Sequence, residues 1–98
     1  MLRMYATIVG AVVAVGVAHQ AAAQSGEMLA MSCIGCHGSN HTGSGSIPTL
    51  RGKPAKDIAD MMKAFQEGKR PQTVMTRLSK GFSDAEIADV AQYLSQLK

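Results

Sequence analysis

Residues 32–38 read Ser32-Cys33-Ile34-Gly35-Cys36-His37-Gly38, and the chain has no cysteine outside this stretch. Two thiols spaced Cys-x-x-Cys with a histidine directly behind them admit four chemistries. A structural zinc site needs four ligands, and beyond His37 the sequence offers only His41 nearby, with no second cysteine pair. A thioredoxin-like redox pair belongs in a βαβ setting, and no stretch here alternates as a strand would. A disulfide across two intervening residues closes a loop too small to stabilise much. The fourth chemistry is covalent haem attachment, in which both thiols add across the haem vinyls and the histidine ligates the iron. What flanks the stretch decides among them.

Upstream, Arg3 gives a short positive start, Ala6 to Ala18 is apolar apart from Thr7 and glycines, and Ala21-Ala22-Ala23 forms a small-residue site. That is the layout of a secretory signal peptide cleaved between Ala23 and Gln24. The apolar run of about thirteen residues falls short of the roughly 20 that span a bilayer. The expected organisation is a cleaved leader at 1–23, which removes His19 from any site, and one domain at 24–98, exported to the periplasm with no membrane span. Outside the cytoplasm a cysteine pair ordinarily oxidises, so any other use needs a cofactor that consumes it. Residues 24–98 carry nine Lys and Arg against seven acids, about +2, spread from Arg51 to Lys98. The whole chain has four aromatics. A nucleic-acid surface needs a denser basic patch, and that class is excluded.

Downstream, Gly38 to Ser46 is rich in Gly and Ser and reads as a loop, here one that wraps something. A short helix runs into the motif from about Gly26, with Met28, Leu29 and Ser32 on one side. Residues 54–67 are expected as a helix: Pro54 suits a first turn, Gly68 stands at the C′ position, and Ile58, Met61, Met62 and Phe65 repeat at helical period. A further helix starts at Ser83, where Ser83-Asp84-Ala85-Glu86 forms a capping box and Ile87, Val90, Ala91, Leu94 and Leu97 follow on one face. The fold class is all-α, three to four short helices. A domain this small needs a staple, and a methionine-rich core poor in aromatics lacks something large, flat and apolar.

One haem c fills that core, consumes both thiols and accounts for export. Cys33 and Cys36 are therefore expected to attach it and His37 to ligate its iron. The sixth ligand could come from His41, Met28, Met31, Met61, Met62 or Met75. Met28 and Met31 precede the cysteines on the same side, His41 is too close to His37 to circle the ring, and Met61 and Met62 lie on a core stripe. Met75 follows the breaker-rich turn Gly68-Lys69-Arg70-Pro71, far enough from His37 for the chain to return on the opposite face. It is the expected ligand.

These features resemble class I cytochromes c over nearly the whole of residues 24–98: Cys33 to Gly38, then Ile47-Pro48, a methionine in the third quarter, and a final helix with Val90, Ala91, Tyr93 and Leu94. The resemblance implies a small class I cytochrome c fold around one covalently bound haem. It also implies that the Pro48 carbonyl accepts the free N–H of His37, and that Leu29 on the first helix packs against Tyr93 and Leu94 on the last. A narrower similarity, carried by Ser46 to Leu50, Thr73-Val74-Met75 with Arg77, and Lys80 to Ser83, is to the cytochrome subunits of flavocytochrome c sulfide dehydrogenases.

Three functions compete at this level. The narrower similarity implies the haem subunit of a periplasmic dehydrogenase that accepts electrons from a flavoprotein partner. The chain itself has no flavin motif and would not be catalytic alone. A free soluble carrier shuttling electrons to a terminal oxidase would instead use Lys53, Lys56, Lys69 and Lys80 for transient docking to acidic redox partners. A haem enzyme or gas sensor would require an open sixth position, with Met75 unligated.

Overall fold

A turn-rich sequence is ordered here chiefly by one helix, the last. The computed structural model describes Gly10, Ala11 and residues 25–98. The cleavage site expected at Ala23–Gln24 lies outside the described residues, as does nearly all of the expected leader. Five helical segments follow one another: α1 (Gly26–Met31), α2 (Ile34–His37), α3 (Ala55–Gln66), α4 (Val74–Ser79) and α5 (Asp84–Ser95). Among the described residues there is no strand, only an isolated bridge between Ser44 and Ile47.

The long helices begin where local chemistry dictates. Pro54 caps α3, whose chain leaves through Gly68 at φ +69°, a left-handed turn that glycine makes without a Cβ clash. Ser83 accepts from the Glu86 N–H at 3.1 Å while the Glu86 carboxylate accepts from the Ser83 N–H at 2.9 Å, closing the capping box of α5. α4, which no apolar stripe announces, is held by a second such box between Thr73 and Thr76.

α5 packs against both α1 and α3, and α3 against α4. Ile87, Val90, Ala91 and Leu94 on α5 meet Leu29 and Ala30 on α1 and Ile58 and Met62 on α3 in one buried cluster. Leu97, expected on the same face, lies beyond the helix end and packs only at its border. On α1 the buried pair is Leu29 and Ala30, whereas Met28 and Ser32 are exposed. The small Ala30 lets α5 come close. The crossing is tightest at Gly26, where an added Cβ would stand 2.2 Å from the Asp89 carbonyl oxygen.

The Gly/Ser-rich stretch is an ordered loop. His41 is buried and adopts φ +57°. Its Nε2–H donates to the Ala30 carbonyl at 2.9 Å, and its own carbonyl accepts from the Leu50 and Arg51 amides at 2.8 and 3.0 Å. One side chain therefore ties the loop to the end of α1. Gly52 donates to the Leu94 carbonyl at 2.9 Å and ties the far end of the same connection to α5.

Candidate haem site

Between α2, the 46–53 segment, α3, α4 and α5 lies a cleft of about 830 Å³, within the roughly 300–1,000 Å³ of small-molecule and cofactor sites. Its walls are mainly apolar: Leu29, Ile47, Leu50, Ile58, Met61, Met62, Phe65, Leu78, Phe82, Val90 and Leu94. Cys33, Cys36, His37, Pro48 and Met75 all border it. Residues 38 positions apart in the chain are thus gathered around one apolar space.

The motif side is built by α2. After α1 ends at Met31, a single turn puts Cys33 and Cys36 on the cleft with both thiols free, Cys33 half-buried and Cys36 exposed. Burial pushes the Cys33 thiol above its ordinary value, and the Ser32 hydroxyl beside it opposes the shift. His37 closes the turn and is buried. Its Nδ1 lies 2.8 Å from the Pro48 carbonyl. A carbonyl only accepts, so the proton sits on Nδ1 and the lone pair of Nε2 is left available to a metal.

The opposite wall comes from α3 and α4. Met75, half-buried at the second position of α4, reaches the cleft after its backbone N–H is fixed by Thr73 Oγ1 at 3.1 Å. Met61 and Met62 also border the cleft, from α3. Met62 is buried in the core cluster. Met28 and Met31 are exposed and border no part of the cleft. His41 is likewise outside it, committed to Ala30. Lys53 and Arg70 are cationic members of the wall, Arg70 stacked 5.0 Å from the Phe65 ring centroid. Sequence reasoning did not single out Arg70. The arrangement fits a large, flat apolar group held through two thiols and an imidazole. Among the described residues, no three His, Cys, Asp or Glu side chains converge to hold a bare metal ion.

The model of the cytochrome c family matches residues 23–98. The chain belongs to the cytochrome c family. It is a small all-α electron carrier of class I, and its cofactor is one covalently attached haem c. This cytochrome is 40% identical over 72 residues to the cytochrome subunit of sulfide dehydrogenase of Chlorobaculum tepidum, covering 74% of this chain and 66% of that protein. It is 36% identical over 77 residues to cytochrome c-554(548) of Halomonas halodenitrificans, covering 74% of this chain and 93% of the relative. Among solved structures, cytochrome c4 of Acidithiobacillus ferrooxidans superposes with a TM-score of 0.65 at 38% identity, over 67% of this chain and 38% of that one. This cytochrome therefore spans just under two thirds of the sulfide dehydrogenase subunit and well under half of the cytochrome c4 chain. Among the described residues no helix is long and apolar enough to cross a membrane.

Proposed function

We propose that this cytochrome is the haem subunit of a periplasmic sulfide dehydrogenase and takes electrons from a flavoprotein partner. The similarity to a sulfide dehydrogenase cytochrome subunit along 74% of the chain carries the reading. Cys33 and Cys36 would anchor the haem through thioethers, and His37 Nε2 and the Met75 thioether would hold its iron. The bound haem supplies a one-electron centre. Pro48 holds the His37 ring against rotation and sharpens its basicity by accepting its Nδ1–H. An iron held by both His37 and Met75 would suit electron transfer over gas binding or oxygen chemistry. Residues 1–23 act as the cleaved export signal, and residues 24–98 are the monohaem domain.

A free soluble carrier is the second reading, favoured by a relative, cytochrome c-554(548), of which the chain spans 93%. The two separate in a gentle low-salt purification from the native periplasm. A stoichiometric flavoprotein that survives a high-salt wash, with sulfide reducing the haem, is the expected result. Haem protein emerging alone, unreduced by sulfide in the whole extract, would sink the subunit reading. An N-terminus at Gln24 in the same preparation checks the leader.

A further inference from the structure

Gln66 is the last residue of α3 and does not border the cleft. Its side-chain amide crosses to the far end of α4, where Nε2–H₂ donates to the Ser79 carbonyl at 2.6 Å and to the Phe82 carbonyl at 2.8 Å. α4 is six residues long, too short to persist on helix propensity. Val74 and Leu78 of α4 border the cleft, and the helix packs on α3 behind them. The start of α4 is fixed by the Thr73–Thr76 capping box. At its other end the last helical carbonyls lack intrahelical partners, and Ser79 is fully buried, away from water. The Ser79 carbonyl accepts from the Phe82 N–H at only 3.2 Å; one Gln66 amide hydrogen adds a shorter bond there, and the other reaches the Phe82 carbonyl just beyond the helix.

We propose that Gln66 is a positioning residue for the sixth iron ligand: by clamping the carbonyls of Ser79 and Phe82 it locks α4, and so keeps the Met75 thioether on the iron. The inference rests on the assignment of Met75 above. Gln66 does not border the cleft and acts through the helix that carries the ligand. Loosening the clamp leaves a buried carbonyl less well satisfied and lets α4 drift, carrying Met75 with it.

The test is competition for the iron by imidazole in ferric holoprotein, followed through the near-infrared sulfur-to-iron band. Gln66→Leu keeps the bulk and removes both donors. It is expected to bind imidazole about tenfold more tightly than the parent, the equivalent of roughly one lost hydrogen bond. Ile87→Val destabilises the buried cluster that α5 forms with α1 and α3, away from the cleft lining, and is expected to leave imidazole affinity unchanged. Gln66→Asn keeps the amide but shortens its reach, and is expected to fall between parent and Gln66→Leu. It carries the comparison if Gln66→Leu yields no holoprotein. Parent-like imidazole affinity in both Gln66 variants, or a rise matched by Ile87→Val at equal loss of Tm, overturns the clamp. Met75→Ala read alongside separates the two claims. A band that persists in Met75→Ala removes the ligand assignment and the clamp together. A band lost there, with Gln66 variants behaving as the parent, removes the clamp alone.

Discussion

His37 uses its two ring nitrogens for different ends. Nδ1 is committed to the Pro48 carbonyl, which leaves only Nε2 for coordination and sets its tautomer before any metal arrives. Met75 is its counterpart on the other wall. A thioether ligand favours ferrous iron, so Met75→Ala is expected to keep the covalent haem while lowering its potential by about 60 mV or more, a tenfold shift in a one-electron equilibrium. Spectroelectrochemical titration reads this directly, and an unchanged potential and spectrum would show that another side chain holds the position. That the thiols and His37 border one cleft was legible in the sequence because Cys-x-x-Cys-His fixes their spacing, and that Met75 joins them because the turn at Gly68 to Pro71 lets the chain return. His41 and Gln66 were not. A histidine among glycines and serines carries no mark of burial, and a glutamine at the end of an amphipathic stripe looks the same whether it faces water or clamps two carbonyls.

At the scale of elements, α3 and α5 could be placed from sequence because each combines an apolar stripe with a cap. α4 could not, since its six residues hold one turn of mixed polarity and owe their shape to a capping box and to α3. The α1–α5 crossing gives a prediction in which local and tertiary terms have opposite signs. On helix propensity alone, Gly26→Ala in α1 gains up to about 1 kcal/mol. The Asp89 carbonyl 2.2 Å from the new Cβ belongs to rigid helix backbone, so the two helices must separate, at a cost typical of overpacking. A net loss of about 1–3 kcal/mol is expected, lowering Tm by roughly 4–8 °C per kcal/mol for a domain of this size. A thermal melt of the holoprotein showing a higher Tm would mean that the crossing is looser than this geometry requires.

For the molecule as a whole, the cleft sets the terms of stability. Among the described residues the buried hydrophobic cluster amounts to eight, three of them on α1 or α5 as small as alanine or valine. The cleft of about 830 Å³ leaves apolar side chains of α3, α4 and α5 without partners until it is filled, and a domain of this size has no larger core to offset that. Chain made without haem is therefore expected to show little cooperative melting by circular dichroism and no fixed near-ultraviolet signal. A sharp, holoprotein-like transition in that material would contradict the argument. Fold class and site were readable together for the same reason: the deficit in the core and the thiols that remedy it are parts of one sequence. The α1–α5 crossing also has a meaning in time. In a chain exported amino end first, α1 and the motif behind it arrive before α5, the helix that α1 packs against. Until residues 84–95 follow, α1 lacks that partner, and Cys33 and Cys36 lie on an open stretch of chain. The order of arrival itself keeps the attachment site accessible until the fold can close over it.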